Sequence, residues 1–165
     1  TPHLTWTDRK FVDDESVSIE LAGVHSRYHV PLARTAVTGK PKQELVRLEG
    51  VVAEALSAVL DTAAPGVPTA ELARTWNRVL ALSGLEKPSR LGYSIGIGYP
   101  PDWGEHTMSI RPGDRTELKS NMVFHFMPAI WTPEWGLEIT ETMRITDAGG
   151  PECLANVPRE LHVKP

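Results

Sequence analysis

Between Gln43 and Ala64 the apolar residues Leu45, Leu48, Val52, Ala55, Leu56, Val59 and Leu60 recur on one helical face, and Pro65-Gly66 stops the pattern. An apolar stripe of that length must be covered by another layer of structure. A second helix is expected to start with Thr69 as its N-cap, turn Leu72, Trp76, Val79 and Leu80 inward and stop at Gly84. Trp76 is then a core residue. Upstream, Val17 to Val37 alternates in hydrophobicity and reads as two or three adjacent strands, with a bend near Gly23 and Pro31 where a ladder hydrogen bond is dispensable. Downstream, "NMVFHFMPAIW" and "GLEITETMRIT" are strand-like runs joined by the turn "TPEWG", and "RPGDR" reads as a surface turn. Strands, two helices and strands again give an α+β domain, its helices on one face of a curved, mostly antiparallel sheet.

Bulk properties narrow the class. The 165 residues suit one domain, and a chain of that length buries about two-thirds of its unfolded surface. A net charge of -4 without a basic stripe argues against nucleic acid as a partner. No apolar run approaches the roughly 20 residues of a membrane span, and the start "TPHLTWTDRK" has no signal-peptide core, so the chain reads as soluble and as cut from something longer. The single cysteine, Cys153, forms no internal disulfide and fits a reducing, cytoplasmic setting.

The stretch "GYSIGIGYPPDWGE", Gly92 to Glu105, holds four glycines and two prolines in fourteen positions. It reads as a shaped loop after a short strand, with a tight corner beside a neighbouring chain as the structural alternative. Ser94 superficially fits G-x-S-x-G, but the residues after it cannot open the helix that a nucleophile elbow requires. The six histidines, His3, His25, His29, His106, His125 and His162, show no metal-binding spacing.

Strand parity sorts the remaining polar residues. Glu20 shares a face with Ser18 and Ala22; Val123, His125 and Met127 point together; Glu138, Thr140, Thr142 and Arg144 form a polar side. Glu141 falls among Leu137, Ile139, Met143 and Ile145, where a carboxylate needs a partner.

In this order, "IELAGVHSRYHVPLARTAVTGKP", two helices, "GYSIGIG", "NMVFHFMPAIW" and "GLEITETMRIT" resemble the catalytic part of the pita-bread superfamily of creatinase, prolidase and Xaa-Pro aminopeptidases. Within it, "RYHVPLART", "GYSIGIGYPPDWGE", "NMVFHFMP" and "GLEITE" are most similar to the ectoine hydrolase branch. The resemblance covers nearly the whole chain. It implies that residues 1–165 are the C-terminal part of a pita-bread catalytic domain, lacking an N-terminal domain and the opening part of the fold. It also implies a homodimer in the full-length protein.

The metallopeptidases of this fold hold two metal ions with two Asp, one His and two Glu. The resemblance places Glu20, Pro31, Tyr93, Met127 and Thr140 at those positions, and four of the five are unsuited to a dinuclear site. No metal or other cofactor is expected. Residues two away on the same strands, His29, His125 and Glu138, would point into the former metal cavity beside Glu20 and Tyr93. These five are the expected catalytic group, with Tyr99, Trp103 and Glu141 contacting substrate and Pro100 and Pro101 helping to wall the site. Trp131 reads as packing at a loop end.

Such a cavity suits a planar cation whose forked N–H donors pair with carboxylates. The resemblance therefore implies metal-independent hydrolysis of a C–N bond in a small zwitterionic cyclic amidine, ectoine above all. Glu20 would hold the amidinium or attack its carbon, Glu138 would orient the opposite N–H, His29 or His125 would shuttle protons, and Tyr93 would donate to the developing tetrahedral centre. A creatinase-like amidinohydrolase, an Xaa-Pro peptidase and a non-catalytic binding module are the competing readings.

Overall fold

A computed structural model of the chain describes residues 6–99 and 101–164. Strand β1 (Ser16–His25) folds back antiparallel on β2 (Tyr28–Thr38) along its whole length, from Ser16 opposite Val37 to His25 opposite Tyr28. Ser26 and Arg27 join them, both at positive φ, 49° and 69°. That backbone matches the right-handed twist of a two-residue hairpin. The bend therefore lies there rather than at Gly23, which sits inside β1 opposite Val30, and the segment makes two strands.

Helix α1 (Gln43–Thr62) buries Leu45, Leu48, Val52, Ala55, Leu56 and Val59, and α2 (Thr69–Leu82) buries Leu72, Trp76 and Leu80. Leu60 and Val79 are only partly buried at the margins of these stripes. The Trp76 indole meets the Phe126 ring edge-on at 6.4 Å between centroids, locking helix to sheet. The start of α2 departs from expectation: Pro68 is the N-cap, and no side chain caps the helix. Instead, the Thr69 N–H donates to the Thr116 carbonyl at 2.9 Å and the Ala70 N–H to the Asp114 carbonyl at 3.1 Å. Backbone from the 114–118 segment satisfies donors that a capping side chain would otherwise take.

The glycine-rich stretch is a hairpin, not a loop: β3 (Gly92–Tyr99) pairs antiparallel with β4 (Asp102–Ile110), with register shifts along its length. Gly92 is required by close approach, because a Cβ there would stand 2.5 Å from the His125 carbonyl oxygen. Pro100, one of the expected wall residues, lies outside the described residues. The two later runs are each broken once, giving β5 (Val123–Phe126), β6 (Ala129–Trp131), β7 (Gly136–Glu138) and β8 (Glu141–Thr146). Strands β6 and β7 form the expected hairpin around the "TPEWG" turn. Strands β9 (Gly149–Cys153) and β10 (His162–Lys164) follow. The main sheet runs β1-β2-β3-β5-β8-β9, with β4 beside β3 and β10 added parallel to β2.

One seam explains how the breaks are tolerated. Where β7 gives way to β8, the chain lies against β2 without a regular ladder, and threonine hydroxyls complete the bonding. The Glu138 N–H donates to Thr35 Oγ1 at 2.8 Å and the Thr35 hydroxyl donates to the Glu138 carbonyl at 3.1 Å. The Ala33 N–H donates to Thr140 Oγ1 at 2.6 Å, the Thr140 N–H to the Ala33 carbonyl at 3.1 Å, and the Thr142 hydroxyl to the Pro31 carbonyl at 2.7 Å. Buried backbone groups that a kinked strand would orphan are thereby satisfied. This seam sets Glu138 beside β1. Among the described residues no helix is long and apolar enough to cross a membrane.

Candidate active site

Glu20 on β1 and Glu138 on β7 line one hollow of about 420 Å³, together with Tyr93 of β3, Met127, Trp131 of β6, and Lys87, Ser89 and Arg90 from the connection between α2 and β3. A smaller hollow of about 260 Å³ shares Glu20, Arg90 and Tyr93 and is closed by Pro101, Asp102 and Trp103. Glu138 is 7% exposed and accepts a hydrogen bond from the Ser18 hydroxyl at 2.7 Å. Ser18 lies two residues from Glu20 on the same face of β1, so one strand edge serves both carboxylates.

Behind Glu20 runs a chain of rings. The Trp103 indole N–H donates to the Tyr93 phenol oxygen at 2.8 Å, and His125 Nδ1 lies 3.2 Å from the same oxygen. Tyr93 and His125 are direct partners across β3 and β5, their rings edge-on at 5.5 Å. His125 is wholly buried and its Nε2 has no partner. A buried N–H without an acceptor is rarer in folded proteins than an under-satisfied acceptor. The proton therefore belongs on Nδ1, donated to Tyr93. The phenol oxygen then accepts twice, which leaves its own hydrogen for a further acceptor. Burial pushes the Tyr93 phenol up, as do the charges of Glu20 and Asp102, and together these outweigh the Trp103 donation and the nearby Arg90 that act the other way. Burial, reinforced by Arg90, pushes His125 down to about 3. An imidazole at that value is neutral near pH 7.

Two cations share the hollow with the carboxylates. The Arg90 guanidinium lies over the Tyr93 ring, 4.2 Å from its centroid. Lys87 donates to the Ser89 hydroxyl at 2.8 Å. Burial lowers the Lys87 ammonium, with the Glu138 charge holding it up in part.

The other expected residues fall elsewhere. His29 is buried and donates from Nδ1 to the Arg27 carbonyl at 2.9 Å; its ring lies 6.4 Å from Trp103, and it lines a neighbouring, mostly apolar cavity rather than the Glu20 hollow. Tyr99 is exposed at the hairpin tip under the Arg27 guanidinium and lines neither Glu20 hollow. Glu141 is fully buried and paired with Arg34 at 2.7 Å and Arg159 at 3.0 Å. Arg34 also donates to the carbonyls of Val157 and Pro158. Glu141 has found the partner its position demanded, in a clamp on the C-terminal segment and away from the hollow. Trp131, read as packing, lies on the hollow's wall.

Ser18, Lys87 and Arg90 were not singled out from the sequence. Parity places Ser18 beside Glu20, so a signal existed for it, whereas Lys87 and Arg90 sit in the aperiodic "GLEKPSRLG" connection, which carries none.

The donor set does not suit a pair of metal ions. Met127 offers only a thioether, Pro31 has no donor in its side chain, the Thr140 hydroxyl is committed to the Ala33 N–H, and the Tyr93 oxygen is committed to two ring N–H groups. Among the described residues no three His, Cys, Asp or Glu side chains come together to hold a metal ion.

Comparison with known proteins agrees with this architecture. The pattern of metallopeptidase family M24 matches residues 1–147. The chain is 48% identical over 164 residues to the ectoine hydrolase of Halomonas elongata, and 42% identical over 163 residues to an uncharacterized hydrolase/peptidase of Sinorhizobium fredii. Both alignments cover 99% of this chain and 41% of the relative, so the chain spans about two-fifths of the length of these relatives. The crystal structure of dipeptidase PepE from Mycobacterium ulcerans superposes with a TM-score of 0.86 at 28% identity, covering 98% of this chain and 43% of that one. The curled, mostly antiparallel sheet with two helices is thus the pita-bread fold, and the chain belongs to metallopeptidase family M24.

Proposed function

We propose that this chain is the catalytic part of a metal-independent hydrolase that opens a C–N bond of a small cyclic amidine, ectoine in particular, to give N-acetyl-diaminobutyrate. The observation that carries the reading is that Glu20 and Glu138 line the same hollow, with Tyr93 between two ring donors beside them. The 48% identity to an ectoine hydrolase supports the choice of substrate.

The chemistry follows from charge. An amidinium presents N–H donors in one plane, which pair with carboxylates through charge-assisted hydrogen bonds. Its central carbon is already electrophilic, so no Lewis acid is needed to polarise it. Glu20 either attacks that carbon or draws a proton from the water that does. Both routes consume one water, break one ring C–N bond, and leave an acetamide at one nitrogen and a protonated amine at the other. The Tyr93 hydroxyl, on the lining of the hollow, stabilises the tetrahedral centre. His125 fixes that hydroxyl. The full-length protein is expected to act as a homodimer in the cytoplasm.

The test uses full-length protein stripped of metals by a chelator and incubated with ectoine under NMR observation. Ring-opened product is expected, with Glu20→Gln and Glu138→Gln each slowed by at least about 100-fold. Absence of turnover, or turnover that disappears with chelation and returns with added divalent metal, refutes the reading. A dipeptide Xaa-Pro, run in parallel, should stay intact.

A further inference from the structure

We infer that Arg90, backed by Lys87, forms the anion-binding end of the Glu20 hollow and selects substrates that carry a carboxylate beside their cationic group. The inference rests on the amidine-hydrolase reading and deepens it by assigning the opposite end of the substrate.

The two carboxylates come from strands β1 and β7, and the two cations from the single connection between α2 and β3. The hollow therefore has a negative wall and a positive wall. Arg90 lines both lobes of the site, as do Glu20 and Tyr93, so it faces the space where Glu20 faces a ligand. Its guanidinium is held in place by the Tyr93 ring, 4.2 Å from the centroid. Stacking on an aromatic face uses the flat side of the guanidinium and leaves its N–H edge for hydrogen bonding. That edge is a fork of donors matched to a carboxylate, and a surface anchored before binding loses less entropy when the ligand arrives. Lys87 adds a point charge on the same wall, its ammonium steered by the Ser89 hydroxyl. A hollow of about 420 Å³ is within the size range of small-molecule sites. A ring with an amidinium on one side and a carboxylate on the other spans the two walls. A simple guanidine or amidine cation would leave the positive wall unanswered.

Arg90 lies over the Tyr93 ring, so a carboxylate subsite and a mere support for that ring are the two roles its position allows. The experiment separates the two effects by measuring steady-state kinetics of the full-length enzyme on ectoine and on its methyl ester, which keeps the amidine but masks the charge. Wild type should favour ectoine, and Arg90→Gln should lower kcat/KM for ectoine by about 10- to 100-fold, mainly through KM. The same change should alter the ester by no more than about 3-fold, since a missing charge has nothing left to lose. Arg90→Lys should recover only part of the loss, because the fork is absent. Equal losses on both substrates would assign Arg90 to positioning Tyr93 alone, and no loss on either would remove it from the site; both results overturn the inference. If wild type leaves ectoine untouched, the functional reading itself fails and takes this assignment with it.

Discussion

His125 gives the most demanding test of the site's physics. Its ring is wholly buried on β5, the strand between β3 and β8, with Nδ1 facing Tyr93 and Nε2 facing no partner. Burial first, and the Arg90 charge second, hold its value at about 3 against an ordinary 6.5. Below pH 6.5 the unfolded chain takes up a proton at this position that the folded chain refuses. The folded state therefore binds fewer protons, and stability falls as the pH drops through the window from 6.5 toward 3. At about 1.4 kcal/mol per unit, moving from neutrality to pH 5 removes ~2 kcal/mol through this group alone. Other groups titrate in the same range, so the contribution is read as a difference. In His125→Asn the amide nitrogen can still donate to Tyr93 but nothing titrates. Urea unfolding of the full-length protein, followed by tryptophan fluorescence at pH 7.5 and pH 5, should show the wild type losing ~2 kcal/mol more than the variant. Parallel losses in the two proteins would mean that His125 is protonated or hydrated in the fold, and the tautomer argument for Tyr93 would go with it.

Glu141→Gln should cost about 3–5 kcal/mol in the same unfolding assay, because it strands the buried Arg34 guanidinium without its countercharge; a loss under about 1 kcal/mol would mean the clamp is hydrated. Thr140→Val should cost about 1–3 kcal/mol by orphaning the Ala33 N–H, whereas Thr140→Ser, which keeps the acceptor, should cost clearly less. Gly92→Ala should destabilise by about 1–3 kcal/mol, since β5 cannot yield where the new Cβ meets the His125 carbonyl oxygen. A neutral Gly92→Ala would place the β3/β5 contact further apart than the structure has it.

The periodic parts of the chain were readable because burial imposes them: a helix that covers a sheet must repeat its apolar residues, and Leu45 through Val59 do so. The same logic found Glu141 as a carboxylate in need of a partner, since it interrupts an apolar face. It failed where the ordering force is not burial. Thr69 looks like a cap, yet a backbone segment nearly fifty residues later takes that role, and no local pattern encodes such a contact. The glycines of 92–98 signalled close approach; whether a ligand or a neighbouring strand does the approaching is decided by tertiary pairing, and it is β5 that meets Gly92. At the site, Glu20, Tyr93, His125 and Glu138 came from strand parity joined to a family resemblance. Arg90 and Lys87 lie in a connection whose shape is set by what flanks it, so their place on the wall became visible only in three dimensions.

Charge balance carries the argument about substrate one step further. Glu20, Glu138, Lys87 and Arg90 surround the hollow as two negative and two positive groups, a set whose formal charge is zero. At a separation of 4 Å and an effective dielectric near 20, each added unpaired charge is worth about 4 kcal/mol against its neighbours. A ligand bearing a single net charge would leave one wall in excess by that order, unless water or a counter-ion entered with it. A zwitterion whose poles match the two walls adds no net charge and replaces the water on both. The positions at which the family resemblance implies metal ligands are also not idle in this chain. The Thr140 hydroxyl secures the kink that presents Glu138, and Tyr93 is the hinge of the ring relay behind Glu20. A carboxylate at position 140 would thus have to take over the acceptor role of the Thr140 hydroxyl within a fully buried seam. The polar residues that line the hollow and the hydroxyl seam that positions Glu138 are therefore parts of the same physical arrangement.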